Sequence, residues 1–344
     1  MAESATNKGP RAPGGRRGRL RHLNRLRRAV QVAVVLFVLA VPVLSLYQSY
    51  SAAHAIQWMT GPEKWFFEGI DDLVRLVSDR PAEDLDVVKG SLWAARFGSF
   101  KISDPLAVVG QAAAERRVHW PFVLTALLPV AITVLLGRVF CGWICPAYLL
   151  YEIGDGARQL VYRAGFSPRN IALPAASKYV ALGLGVALSL GLGLAVFPMV
   201  YPPALIGREW FYWVFYGAFG GGLTLLAVTV VLETTLSRRV VCRHLCPGGA
   251  LYSLLGKFRV VRIRRRAAAC IDCVLCDDVC GLGLNPMTDR TGMECNNCAA
   301  CIAACPTDAL TIGLGWQGGP VEGGGLRQKN GGHGPAQHGT RGAA

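Results

Sequence analysis

Eight of the twelve cysteines in this 344-residue chain fall between positions 270 and 305, in two runs with one spacing. Both runs have the form C-x2-C-x2-C-x3-C, and Pro306 follows the second. In such a run the first three thiolates ligate one iron–sulfur cube, and the fourth ligates the other cube. The spacing therefore predicts two [4Fe–4S] clusters, one held by Cys270, Cys273, Cys276 and Cys305, the other by Cys280, Cys295, Cys298 and Cys301.

Zinc binding and disulfide formation are the two alternatives for these cysteines. A structural zinc site has four ligands, usually two CxxC pairs separated by a longer linker. Eight evenly spaced cysteines do not follow that arrangement. Disulfides form in oxidising compartments, whereas the charge pattern of this chain assigns the cysteines to the cytoplasm. The run therefore predicts a segment that transfers single electrons.

Four apolar stretches precede the cysteine run and predict a membrane domain. Hydrophobic residues make up 52% of the chain and charged residues 17%, which is typical of a membrane protein with a soluble appendage. A helix needs about 20 residues to cross the hydrocarbon core, and the stretches near 29–49, 120–140, 178–199 and 212–235 are long enough. We expect a membrane all-α domain of four transmembrane helices, followed by a small α+β domain like that of two-cluster bacterial ferredoxins.

These features predict four regions along the chain. They are a basic cytoplasmic tail at 1–28, a transmembrane domain at 29–255 with an external loop at 50–118, a ferredoxin domain at 256–312 and a disordered glycine-rich tail at 313–344.

Lysine and arginine predict the orientation of the chain. Residues 1–28 contain nine basic residues and one acidic residue, and further basic residues follow the second and fourth apolar stretches. Positively charged loops remain in the cytoplasm, so both termini are expected on the inner side of a bacterial cytoplasmic (inner) membrane that the chain crosses several times. Anionic lipid then accounts for the net charge of +14. No nucleic-acid-binding motif accompanies that charge.

An internal repeat, R-V-x-C-x-x-[I/L]-C-P, occupies 138–146 and 239–247 at the ends of the second and fourth predicted spans. Cysteines four residues apart share one face of a helix, and proline ends the helix after the second cysteine. The two motifs supply four thiols, Cys141, Cys145, Cys242 and Cys246. Three interpretations are open: a third cluster or other metal site, thiols for redox exchange or partner docking, and buried packing at a helix end.

A haem within the membrane would need histidine ligands in the spans. His54 and His119 lie at external ends, and His244 lies at the cytoplasmic edge. We therefore expect a lipid-soluble quinone as the small redox partner. The candidate polar residues for its site are Asp104, His54 and His119 on the external side and Glu152 and Glu233 near the inner face.

Two C-x3-C-P motifs ahead of a duplicated ferredoxin run resemble the NapH/MauN family of ferredoxin-type membrane proteins, and are similar to the membrane and ferredoxin portion of the nitrous-oxide regulator NosR. The resemblance lies in residues 137–146, 242–247, 305–310 and 103–106. Two features depart from it: Gly281 stands where the family usually has proline, and the external loop is too short for the flavin-binding domain of NosR.

The resemblance implies an electron-transfer subunit of the quinol dehydrogenase type rather than a stand-alone enzyme. Its implied partners are the membrane, the quinone pool and another redox protein, which could be a reductase, a ferredoxin or a cytochrome. The alternative is an accessory or maturation factor that reduces or repairs another metalloenzyme.

Overall fold

The computed structural model describes residues 14–76, 88–91, 93–165, 173–174, 176–289 and 291–315, together with Leu85. Most of the predicted glycine-rich tail and the first 13 residues of the predicted basic tail lie outside the described residues.

The described chain is mostly helical, as predicted. Its helices are α1 Gly14–Ala52, α2 Pro62–Arg75, α3 Pro105–Glu115, α4 Trp120–Leu136, α5 Pro146–Arg163, α6 Ser177–Leu192, α7 Phe197–Val200, α8 Pro202–Tyr216, α9 Gly222–Thr235, α10 Pro247–Leu255, α11 Leu275–Asp278 and α12 Ala300–Ala304. Strands β1 Val88–Gly90, β2 Ala94–Phe97 and β3 Phe100–Ser103 form one antiparallel sheet, and β4 Val261–Arg265 pairs with β5 Leu310–Leu314 in another.

The helices from α1 to α10 form two halves with the same order of principal elements. Each half has a helix, a helical hairpin, a π-helical turn that carries C-x3-C-P, and a final helix. The turns are Phe140–Ile144 and Val241–Leu245. The halves exchange partners: α1 packs on α8, α6 on α3, α5 on α9, and α10 on α4. This exchange places the two turns against each other in the bundle.

Among the described residues, Leu23–Ala52 is the one helical segment that has both the length and the apolar composition to cross a membrane. The other predicted spans coincide with shorter apolar helices, because the chain turns earlier than the hydropathy pattern indicates. Gly193 ends α6 at a φ of 65°, and Gly217 ends α8 at a φ of 65°. The apolar stretch 212–235 is therefore divided between α8 and α9, and helix length does not confirm four membrane-spanning helices among the described residues.

The ferredoxin-like domain has the predicted α+β architecture. Strands β4 and β5 pair from Val261 opposite Leu314 to Arg265 opposite Leu310, and the chain between them carries both cysteine runs. The core of this domain contains Ile263, Ile302 and Leu310, together with the buried cysteines Cys276, Cys295 and Cys301.

Arg259 joins this domain to the helical bundle. Its side chain is fully buried, and Nη1 donates a hydrogen bond of 2.9 Å to the carbonyl oxygen of Cys295. It packs on Gly137, whose φ is +77° and where a Cβ would lie 2.7 Å from Arg259 Cδ. Only glycine suits both that backbone and that approach. Val260 N also donates to Leu135 O at 2.9 Å, so the domain is held directly on the end of α4.

Candidate iron–sulfur and thiol sites

A first cavity in the ferredoxin-like domain brings together four of the predicted ligands. Ile271, Val274 and Met287 contribute apolar walls. The cysteines that line it are Cys270, Cys273, Cys276 and Cys305.

A second cavity is lined by the other four cysteines of the two runs. Each cavity is therefore lined by the first three cysteines of one run and the fourth cysteine of the other run. Tyr148, from α5 of the helical bundle, also lines this second cavity. Its cysteines are Cys280, Cys295, Cys298 and Cys301.

The two CxxC loops have the same unusual backbone. Asp272 and Val274 have φ values of +51° and +63°, and the equivalent Asn297 and Ala299 have +50° and +60°. Left-handed residues of this kind turn successive N–H groups into a concavity that favours anions, including iron–sulfur centres. Because a β-branched residue such as Val274 rarely adopts this conformation, its presence points to a functional constraint on the loop.

Burial raises the pKa of several thiols in these cavities, and hydrogen bonds to their sulfur atoms lower it. Burial raises the pKa of Cys276 to about 11. Burial also opposes ionisation of Cys305, but the hydrogen bonds that its sulfur accepts, including one of 3.3 Å from Ala309 N, outweigh it and lower the pKa of Cys305. Binding to iron would deprotonate the buried thiols. Four cysteines around each cavity are the donor set of a [4Fe–4S] cluster.

The geometry does not favour a single-ion site. Within the described residues, no three His, Cys, Asp or Glu side chains are placed to hold one metal ion. Zinc ligands converge on one centre at about 2.3 Å from it, whereas a cube distributes its thiolates over separate irons. The structure places four cysteines around each cavity.

The four thiols of the C-x3-C-P motifs form a third group, which we call the four-thiol site. Each motif ends in a π-helical turn rather than the continuing α-helix expected from its spacing. Cys145 lies close enough to Cys141 and Cys246, and Cys242 to Cys145 and Cys246, for their charges to interact. Burial raises the pKa of all four thiols, that of Cys246 to about 12.

Each motif also contains a buried arginine, which the sequence analysis did not single out as functional. Arg138 donates to Glu294 Oε2 at 2.8 Å and to its carbonyl oxygen at 3.1 Å, and Lys178 contacts the same carboxylate. Arg239 donates to Tyr148 O at 3.0 Å and to Asp155 Oδ2 at 2.9 Å. The repetition of the arginine in both motifs was the signal that could have identified this role.

The first π-helical turn lies directly against the second cavity. A Cβ on Gly142 would stand 3.0 Å from the carbonyl oxygen of Asn296, a residue that lines the cavity. Trp143 Nε1 donates to Asn297 O at 3.3 Å. Glycine at position 142 thus permits close contact between the four-thiol site and the loop that carries Cys295 and Cys298.

Asp104 is buried within the bundle, with 4% of its surface exposed. It caps α3 by accepting a hydrogen bond of 2.8 Å from Leu106 N, and it accepts another of 3.2 Å from the Tyr201 hydroxyl. Burial raises the pKa of Asp104 to about 6. The Tyr252 hydroxyl lies nearby but forms no well-aligned hydrogen bond with any described residue. Asp104 also raises the pKa of Cys141, which places it beside the four-thiol site.

The other polar residues considered for a quinone site do not all meet in one place, although Glu152 and Glu233 both lie near Arg239. His54 and His119 are exposed, and His119 contacts Glu115. Glu152 pairs with Arg27 and Arg28. Glu233 accepts a hydrogen bond of 2.9 Å from Val241 N at the second π-helical turn, so the structure does not bring these residues into one site.

Comparison with known sequences identifies the C-x3-C-P regions as a recognised unit. Residues 118–161 and 219–266 match the sequence profile of a family described as a 4Fe-4S binding domain. These segments contain the two motifs and not the eight-cysteine run.

Several curated proteins are similar to this chain. Ferredoxin-type protein NapH of Haemophilus influenzae is 30% identical over 219 residues, covering 59% of this chain and 72% of NapH. Methylamine utilization ferredoxin-type protein MauN of Methylorubrum extorquens is 32% identical over 204 residues, covering 58% and 68%. The putative electron transport protein YccM of Escherichia coli is 31% identical over 204 residues, and the match spans only 57% of YccM. No solved structure matches the chain.

Proposed function

Because this chain belongs to the family of ferredoxin-type iron–sulfur proteins that includes NapH and MauN, we propose that it is a membrane-bound relay between the quinone pool and another redox protein. It is an electron-transfer subunit of the quinol dehydrogenase type. Oxidation of a quinol releases two electrons and two protons, and the protein passes the electrons on singly to its partner.

The proposal includes four membrane-spanning helices with both termini in the cytoplasm. The outer faces of the short apolar helices support it, since Leu124 of α4, Leu184 of α6 and Val231 of α9 are 62%, 58% and 56% exposed. Extensive exposed apolar surface is typical of contact with lipid or with another protein. Buried polar residues such as Arg138 and Arg239 lie between the two halves of the bundle. In this arrangement the ferredoxin-like domain lies at the inner membrane face.

The contact between the four-thiol site and the second cavity carries the proposal. Tyr148 lies three residues after Cys145 and lines the cavity of Cys280, Cys295, Cys298 and Cys301. Gly142 of the same motif meets Asn296 in that cavity wall. The membrane bundle therefore touches the ferredoxin-like domain at its redox centre rather than at a distant surface.

The residues proposed to hold [4Fe–4S] clusters are the two sets of four that line the cavities. The four-thiol site is proposed to hold a further redox centre, because its donor set is the same and it adjoins the second cavity. When bound, such clusters accept and release single electrons. The protein's own part is to bury the centres, supply thiolates and fix the distance between them through Tyr148 and Asn296.

Iron and acid-labile sulfide analysis tests the number of centres in the purified full-length protein. We expect about twelve irons per chain, because each cube holds four, and about eight in the double variant Cys141→Ala, Cys242→Ala. Cys280→Ala is the control that should disturb the second cavity. About eight irons in both the wild type and the double variant would remove the third centre.

Reduction by a quinol analogue tests the relay itself. We expect the clusters of the intact protein to become reduced, followed by their absorbance and electron paramagnetic resonance spectra. If no quinol reduces them and a soluble low-potential donor does, the protein is instead an accessory factor for another metalloenzyme.

A further inference from the structure

A large cavity lies between α1, the β1–β2 hairpin and α8, away from the cysteines. Its volume is about 410 Å³, within the range for small-molecule sites. Most of its wall is apolar, and its polar side chains are Ser45, Ser91 and Arg208. The apolar residues include Val38, Val41, Pro42, Trp93, Ala204 and Phe211.

We propose that this cavity binds the ring of a membrane quinone, with Arg208 donating a hydrogen bond to one of the two carbonyl oxygens. The inference rests on the proposed function and gives it a substrate site. A quinone is flat and apolar and carries only acceptors on its ring, so it requires a largely apolar pocket with a few fixed donors.

Arg208 has the position and the charge balance for that role. Its Nη1 donates to Pro198 O at 3.4 Å, and Nε and Nη2 donate to Glu209 Oε1 at 3.3 and 3.1 Å. A guanidinium has more N–H groups than these bonds use. Because the buried Glu209 already neutralises the charge, the site favours a neutral carbonyl over the phosphate of a lipid.

A continuous chain of contacts joins the cavity to the four-thiol site. The ring of Trp93 lines the cavity and lies 5.7 Å from the ring of Tyr201. Tyr201 donates to Asp104, and Trp93 O accepts a hydrogen bond of 3.0 Å from Asp104 N. Tyr252 lies beside Asp104 and stacks on Phe140 at 4.9 Å, and Phe140 precedes Cys141.

The cavity is also accessible from the side that would face lipid. Phe211 lines it and is 39% exposed. Tyr212, Trp213 and Tyr216 follow on the same helix with exposed rings, and tyrosine and tryptophan are enriched where membrane proteins meet the lipid headgroups. A ligand dissolved in the bilayer can therefore reach Arg208 without passing through water.

Filling the cavity tests the proposal. A Cβ on Gly207 would make only an ordinary contact, 3.7 Å from Ser91 Cβ, so Gly207→Leu adds a side chain to the cavity wall without a backbone clash. The matched control is Gly183→Leu on α6, where a Cβ would meet nothing within 4 Å. Both proteins are prepared at full length with their clusters, in lipid nanodiscs, and titrated with decylubiquinone as the probe.

We expect Gly207→Leu to weaken decylubiquinone binding at least about tenfold, since the substitution removes pocket volume, while Gly183→Leu binds as the wild type does. Arg208→Lys should weaken binding severalfold, because lysine keeps the charge beside Glu209 but lacks the fixed fork of donors. Unchanged binding in Gly207→Leu and Arg208→Lys would overturn the site.

Cluster reduction by decylubiquinol separates this inference from the proposed function. If the wild type is reduced and Gly207→Leu is reduced equally fast, the relay stands and the cavity is not its quinone site. If quinol fails to reduce the wild type, the relay fails, and the binding titration still decides whether the cavity takes a quinone. Dithionite reduction in every variant verifies that the clusters are intact.

Discussion

The two C-x3-C-P turns share a sequence pattern and a backbone conformation, yet their buried arginines bind different parts of the molecule. Arg138 binds Glu294, the residue before Cys295 in the ferredoxin-like domain. Arg239 binds Asp155 and the carbonyl oxygen of Tyr148, both on α5. The hydrogen bonds of Arg138 therefore anchor the cluster domain, and those of Arg239 hold the two halves of the bundle together.

The difference extends to the residue after the first cysteine of each motif. Gly142 in the first turn permits contact with Asn296. The second turn has Arg243 at the equivalent position, and its guanidinium lies against Gly283. At the same position of the motif, the absence of a side chain in Gly142 allows close contact with Asn296, whereas the long side chain of Arg243 reaches Gly283.

Glu294→Ala should have the largest effect on this comparison. It leaves Arg138 and Lys178 buried without their carboxylate, and removing one partner of a buried ion pair costs about 3–5 kcal/mol. Both cations are almost fully buried. The free energy of unfolding of the ferredoxin-like domain, followed by loss of cluster absorbance in denaturant, measures the change.

The control for this variant is Glu68→Ala on α2. Glu68 pairs with Lys64, and its side chain is 54% exposed, so the loss should be at most about 1 kcal/mol. Equal stability of Glu294→Ala and the wild type would show that Arg138 does not anchor the domain.

The pH dependence of stability provides a second test of the comparison between the two halves. Asp104 precedes α3 in one half, Tyr201 precedes α8 in the other, and the Tyr201 hydroxyl donates a hydrogen bond to Asp104. Since folding raises the pKa of Asp104 from 3.8 to about 6, the folded state holds its proton more tightly. Its contribution to stability is present at low pH and is lost as the pH rises from about 4 to about 6. With about 1.4 kcal/mol for each pKa unit, the loss is about 3 kcal/mol.

Asp104→Asn isolates that contribution, because asparagine also caps a helix but stays neutral. Unfolding free energies of both proteins between pH 4 and 7 should show a smaller decline with pH in the variant. Parallel pH profiles would mean that Asp104 does not account for the dependence.

Arg239→Ala should destabilise the bundle by about 2 kcal/mol, the usual cost of losing a hydrogen bond to a charged group, which is less than Glu294→Ala costs the ferredoxin-like domain. Glu152 retains Arg27 and Arg28, and Asp155 retains Arg238 at 3.6 Å, so neither acid is left without a cation. Limited proteolysis should detect opening between α5 and α9 with the cluster domain still attached. Release of the cluster domain first would contradict the division of roles between the two arginines.

Among the variants at Glu294, Asp104, Arg239 and Gly142, we expect Gly142→Ala to change the free energy of unfolding least. Its Cβ would press on Asn296 at 3.0 Å, and we expect a cost of about 1 kcal/mol, the lower end of the range for overpacking. We expect a shift in the electron paramagnetic resonance spectrum of the second cavity's cluster. Gly156→Ala on α5, where a Cβ would meet nothing within 4 Å, should leave that spectrum unchanged.

Some of these features could be predicted from local sequence alone. The C-x2-C-x2-C-x3-C spacing predicts which cysteines lie together, because short loops restrict where their thiols can point, and the structure places them around two cavities. Hydropathy predicted the apolar helices but not their ends. Gly217 interrupts the fourth predicted span, and a window that averages hydropathy does not detect a single residue with positive φ.

The sequence by itself determined the iron–sulfur chemistry, the apolar character of the bundle and the existence of two equivalent motifs, since each depends on residue type and on spacing along the chain. Tertiary structure alone decided that Asp104 lies beside the thiols, that Arg138 and Arg239 bind different partners, and that Trp93 and Arg208 share a cavity. The physical reason is that these contacts join residues from separate helices and strands. Their positions follow from how the two halves exchange helices, and no local pattern encodes that packing.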